Sequence, residues 1–175
     1  ILDTRFAFDV DVVEGAGSYV CGEETALLRS LEGLRGMVTA RPPYPADKGL
    51  FERPTVVNNV ETLANLGWIV RHGGDAYAAF GVGKSRGTKL VSLNERFAKP
   101  GVYEVPLGTP LRRVLVDIGG GMKSGRAIKA VQIGGPLGGI LPASILDVPL
   151  GFEELGEVGA LLGHGGIVAF DDTVD

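Results

Sequence analysis

Glycine constrains this chain more than any other feature. Its 28 glycines recur in pairs and triplets without a repeating period, and only 10 prolines accompany them. That pattern is neither collagen nor a linker. It implies many tight turns and several places where backbone closely approaches a ligand or another backbone. Between the turns the chain is ordinary for a soluble globular protein, with 45% hydrophobic and 22% charged residues. Its 175 residues fit one domain, or a small domain plus part of another. The net charge of −4 is spread out and no Lys/Arg run occurs, which argues against a nucleic-acid partner. Phosphate-bearing ligands stay open, because helix N-termini hold phosphates without net positive charge. No apolar run approaches the roughly 20 residues of a transmembrane helix. The single cysteine, Cys21, excludes an internal disulfide and points to a reducing compartment. The start, Ile1-Leu2-Asp3, has no signal pattern and no initiator Met, as expected of a piece of a longer protein.

Arg5 to Val13 alternates Phe6, Phe8, Val10 and Val12 with Asp9 and Asp11, which predicts a strand ended by Gly15-Ala16-Gly17. Glu23 to Leu31 reads as a helix with acids in its first turn and Gly33 and Gly36 behind it. Arg41 to Pro54, with four prolines, reads as a stiff, mostly extended loop. A helix follows over Val60 to His72, with Leu63, Leu66 and Val70 as its apolar stripe, and a short one over Ala76 to Phe80. The character changes at Gly81 to Arg86, the expected domain boundary. Beyond it come strands at Thr88–Asn94 and Val102–Val105, a helix at Pro110–Ile118 and a strand at Ile128–Ile133, the order of a β-grasp unit. Phe152 to Asp172 suggests a short helix and a strand at Ile167–Phe170, with Asp171 and Asp172 facing solvent.

The densest cluster of candidate chemistry is Gly15 to Leu27, which follows the first expected strand and opens a helix, where α/β proteins place ligands. It is not the dinucleotide fingerprint, because Val20 stands where the third glycine belongs. Taken alone, it is equally a pair of turn glycines, two helix-capping acids and a small buried Cys21. Asn58-Asn59 reads as a helix N-cap pair. His72 and His164 lie far apart without an acidic partner at ligand spacing, so no metal site is expected.

The run Gly-Ala-Gly-Ser-Tyr-Val-Cys-Gly-Glu-Glu-Thr-Ala-Leu (15–27) resembles the signature of the flavin-carrying, NADH-oxidising subunit of respiratory complex I. It is also similar to the diaphorase subunits of NAD-reducing hydrogenases and the beta subunits of NAD-dependent formate dehydrogenases. The likeness continues through Ser30-Leu31-Glu32-Gly33, Arg41-Pro42-Pro43-Tyr44-Pro45 and Pro54 to Leu63, and Gly87 to about Pro142 resembles the family's soluble-ligand-binding β-grasp domain. The resemblance implies an α/β fold: residues 1–82 as part of an FMN- and NADH-binding domain, 83–149 as the β-grasp domain, and 150–175 as a lead-in to an iron–sulfur domain. It implies that Tyr19, Gly22, Glu23 and Glu24 line the flavin face, with Glu24 near the nicotinamide amide and ribose. Asn58 and Asn59 would meet the ribityl–phosphate side, and Arg41 and Tyr44 the adenine end of NADH.

The same resemblance implies FMN and NAD as cofactors, and a 4Fe-4S cluster in the full-length subunit that this chain does not ligate; it has one cysteine and no Cys-x-x-Cys. The family's phosphate-gripping glycine loop and its cluster-binding cysteines are expected outside these residues. The chain alone is therefore expected to be inactive as a dehydrogenase. Iron–sulfur subunits of a multi-subunit complex are the implied partners, and the cytoplasm, or a soluble arm at the inner membrane face, the implied place. The competing class is a non-catalytic β-grasp module for ligand binding or subunit docking, in which Gly134-Gly135-Pro136 and Gly138-Gly139 form either a docking turn or ordinary turns.

Overall fold

The computed structural model describes residues 5–174. The chain separates into two compact units, Ile1–Val60 and Glu61–Asp175.

The first unit is built around helix α1 (Glu24–Leu31), preceded by a 3-10 turn at Tyr19–Gly22. Glu23 is the N-cap: its carboxylate accepts from the Thr25 and Ala26 N–H groups at 2.9 and 3.0 Å, satisfying two donors that have no partner within the helix. At the other end Gly33 adopts φ +77°, and the Leu34 and Gly33 N–H groups donate to the Arg29 and Ser30 carbonyls, a Schellman ending that favours glycine there. Thr25, Ala26 and Leu28 form the buried side of α1.

Two expectations for this unit are corrected. Arg5 to Val13 forms no strand; its alternating apolar side chains stay exposed, Val12 at 92%. Alternation marks a face suited to burial, but a strand exists only where a second backbone completes its ladder. Among the described residues none does. The Arg41–Pro54 loop is folded rather than extended. The Asp47 and Lys48 N–H groups both donate to Tyr44 O, and a 3-10 turn covers Leu50–Glu52. Thr55 closes the loop, its N–H donating to Pro45 O at 2.8 Å and its hydroxyl oxygen accepting from Leu50 N–H at 2.9 Å.

The second unit carries helices α2 (Val60–His72) and α3 (Gly74–Ala78), then a small hairpin of β1 (Gly81–Val82) and β2 (Ser85–Arg86). A hairpin of β3 (Thr88–Leu93) and β4 (Gly101–Pro106) follows. Helix α4 (Leu111–Arg113) widens into a π-helical turn over Val114–Ile118. A second hairpin of β5 (Ile128–Ile133) and β6 (Ile140–Pro142) leads to α5 (Phe152–Glu157) and β7 (Gly166–Asp171). The five-stranded sheet runs β4-β3-β7-β5-β6, with β7 parallel to β3 and antiparallel to β5. The expected order of strand, strand, helix and strand is present, and the structure adds β6, which pairs with β5, and inserts β7 between the two hairpins to complete a β-grasp arrangement.

Alternation in β3 and β7 sends Val91, Leu93, Ile167 and Ala169 to the core, where they meet Leu111, Val114 and Leu115 of the helical segment and Val131 and Ile133 of β5. Within residues 150–175 the expected short helix and strand form as α5 and β7, and β7 is the central strand of the sheet. Asp171, expected at the surface, is buried; its carboxylate accepts from the Ser124 hydroxyl and from the Thr173 N–H and hydroxyl. The hydrogen bond from the Thr173 hydroxyl, before all else, holds its carboxyl below the usual aspartate range. The stripe Leu63, Leu66 and Val70 of α2 remains exposed, while Asn65 and Trp68 turn to the sheet's outer face.

Candidate functional site

The expected site residues of the first unit gather around the start of α1. The glycine run leads into it through open backbone: at Gly15, Gly17 and Gly22 a side chain would meet nothing within 4 Å, and Gly17 holds φ +76°. A cleft of about 660 Å³ lies along this run, lined by Gly15, Gly17, Ser18, Cys21 and Gly22 with Leu27 from α1. Cys21 is half-buried, and its sulfur occupies the space a side chain at Gly36 would need, 2.6 Å from that position.

Glu23 turns inward as the cap. Desolvation pushes its carboxyl up, but hydrogen bonds from the Thr25 hydroxyl at 2.5 Å and from the Ala26 and Thr25 N–H groups, with the nearby Arg41 charge, bring it below the ordinary glutamate value. Its second oxygen is buried without a hydrogen-bond partner among the described residues. Glu24 turns outward and pairs with the Arg41 guanidinium. The family resemblance implies opposite ends of a dinucleotide for these two residues, and nothing in the sequence signals their pairing, because they lie 17 positions apart on separate elements.

Thr25 is the residue the sequence reading passed over. Its hydroxyl donates to Glu23 and accepts from the Thr39 N–H at 2.9 Å, which ties the first turn of α1 to the segment that delivers Arg41. A Thr after two acids also suits an ordinary helix start, so no local pattern marks it. Tyr44 is 55% exposed, and its carbonyl anchors the turn that follows. Tyr19, in the 3-10 turn, and Asn58 and Asn59, just before α2, are exposed. The structure thus joins Glu23, Glu24 and Arg41 around Thr25 and sets Gly22 on the glycine cleft. It leaves Tyr19, Tyr44, Asn58 and Asn59 on open surface. No cluster of three or more His, Cys, Asp or Glu able to hold a metal occurs among the described residues.

Known proteins resemble this chain over nearly its whole length. Residues 3–68 match the family described as the Nuo51 FMN-binding domain. The HndC subunit of an NADP-reducing hydrogenase from Solidesulfovibrio fructosivorans is 47% identical over 172 residues, covering 98% of this chain and 35% of the relative. An NADH-quinone oxidoreductase subunit of Escherichia coli K12 is 43% identical over 175 residues, covering 100% of this chain and 39% of the relative. A crystal structure of NAD+-reducing [NiFe]-hydrogenase in the H2-reduced state superposes with a TM-score of 0.78 at 43% identity, covering 92% of this chain and 27% of that one. The chain spans less than half the length of the curated relatives it matches. The glycine run, the capped helix and the Arg41–Tyr44 loop all lie inside residues 3–68, and this segment belongs to the Nuo51 FMN-binding domain family.

Proposed function

We propose that this chain is part of a subunit that transfers a hydride between NAD(H) and FMN and passes the electrons on to iron–sulfur clusters. The observation that carries this reading is the glycine run opening onto a cleft at the start of α1, within a segment 43–47% identical to named oxidoreductase subunits. The cleft fits a flavin on two grounds. Its volume lies in the range of small-molecule sites, and the bare backbone at Gly15, Gly17 and Gly22 lets a planar ring approach without side-chain obstruction. FMN, when bound, supplies the hydride acceptor and the step from two-electron to one-electron transfer.

The chain's own residues bind and orient. Gly22 and Tyr19 border the flavin. Glu23 is committed to capping α1, so it shapes the site through the helix start. Hydride transfer needs no protein acid or base, only cofactors held in register, so Glu24 positions the nicotinamide ribose and Arg41 holds its carboxylate in place. Tyr44, exposed on a braced loop, offers a ring for adenine to stack on. Asn58 and Asn59 offer amides, which donate and accept without adding charge. Cluster-bearing partner subunits, a cytoplasmic setting, and inactivity of these 175 residues alone belong to the same reading. So does the assignment of residues 150–175 to the approach to a cluster domain.

The test uses the complete subunit. Glu24→Ala is expected to raise KM for NADH about tenfold while FMN content is unchanged. An unchanged KM, or loss of flavin, rejects the assignment. The alternative, a non-catalytic β-grasp module, draws on the Gly134–Gly139 turn. There the conformation follows from packing: a side chain at Gly138 would collide with the Ile133 carbonyl oxygen, so the turn is tight on its own account.

A further inference from the structure

A second cleft, of about 400 Å³, lies in the β-grasp unit between α2, α3 and the face of β3–β4 turned away from the core. Three aromatic rings wall it. The Trp68 ring centroid stands 6.2 Å from Tyr77 at 55° and 6.1 Å from Phe80 at 69°, so the rings incline as walls instead of stacking. Two of them are held by their surroundings. His72 stacks on Trp68 at 4.3 Å. Tyr77 lies against the bare backbone of Gly87, where any side chain would collide with the ring. Leu90 closes the apolar lining.

Two carboxylates reach this cleft. Glu61 is committed, accepting from the Leu90 N–H at 2.8 Å and pairing with Lys89. Glu104 accepts from the Thr88 hydroxyl at 2.7 Å and makes no ion pair among the described residues. Inclined aromatic faces present negative quadrupoles, and the Glu104 carboxylate adds a full negative charge beside them. An anion is repelled there. A neutral apolar molecule uses the walls and gains nothing from the carboxylate. A small inorganic cation holds its water too firmly to exchange it for ring faces.

From this combination we propose that the cleft binds a small organic monocation, an alkylammonium of choline size, with its charged group between the rings and Glu104. The site is independent of the flavin reading and involves none of its residues.

Trp68 is the chain's single tryptophan, so its fluorescence reports on this cleft alone. Choline is titrated into the 175-residue chain, with 3,3-dimethylbutan-1-ol as the uncharged isostere and near-UV circular dichroism as the check on folding. Choline is expected to give a saturable change, and the alcohol to bind about tenfold more weakly, the scale of a desolvated cation–π contact. Glu104→Gln is expected to weaken choline about fivefold and leave the alcohol unchanged, and Glu104→Asp to recover part of the loss. The proposal is overturned by equal affinity for cation and alcohol, by no saturable change in the folded chain, or by unaltered choline binding in Glu104→Gln.

Discussion

Glu23 and Glu24 are neighbours of one type with opposite fates, and the backbone decides which is which. At the N-cap, Glu23 has extended dihedrals that aim its side chain back at the first N–H groups of α1. Glu24, one residue later, already has its side chain on the helix surface. The lowered Glu23 carboxyl makes helix α1 sensitive to acid. With the folded value below the ordinary glutamate value of about 4.3, its contribution is complete above that pH and is lost as pH falls through the folded value. Glu23→Gln is therefore expected to destabilise the chain by about 1 kcal/mol at pH 7, the usual scale of an N-cap. Urea titrations between pH 7 and pH 3 should show the gap between parent and variant closing below about pH 4.3. A gap that persists at pH 3 would mean that shape, not charge, makes the cap.

Among the elements, the first turn of α2 is fastened to the sheet through Glu61. Among the described residues β3 has no strand beside its N-terminal end on the side opposite β4, because β7 pairs with Ser92 and Leu93. Glu61, in the first turn of α2, occupies that edge. One oxygen takes the Leu90 N–H that a ladder would otherwise take, and the other takes the buried Lys89 ammonium. Removing it strands a backbone donor and a largely desolvated charge. Glu61→Ala is expected to cost about 1–3 kcal/mol in urea denaturation. Lys89→Met, which removes the charge and keeps the packing, is expected to cost less. A larger loss from Lys89→Met than from Glu61→Ala would show that Lys89, not the β3 edge, is the group Glu61 serves.

For the molecule as a whole, the inserted strand β7 governs the second unit. Its residues lie far along the chain from β3 and β5, yet it pairs with both and places Ile167 and Ala169 in the core. Residues 61–149 alone lack it, leaving the two hairpins with facing edges and no strand between. They are expected to show no cooperative thermal transition by circular dichroism, whereas residues 61–175 should melt in a single one. A sharp transition in the shorter piece would mean the hairpins and α4 suffice. Much of this unit was legible beforehand: β3, β4, α4 with its π-helical turn, and β5 all lie within a few residues of the expected bounds, because strand alternation and glycine punctuation are local signals.

What the sequence settled alone was therefore local or inherited: α1 and its glycine ending, the extent of α2, strands β3, β4, β5 and β7, and the family likeness of the run from Gly15 to Leu27. What it could not settle needed a partner from elsewhere in the chain. Arg5 to Val13 alternates as a strand does, but alternation cannot supply the neighbouring backbone. Asp171 carries a charge that composition assigns to the surface, yet Ser124 and Thr173 make its burial tolerable. Glu24 and Arg41, and the three rings around Trp68, meet only because turns bring distant segments together. A sequence pattern records each residue's own preference, whereas an ion pair, a ladder or a cleft depends on two or more residues at once, and only the tertiary fold decides which ones meet.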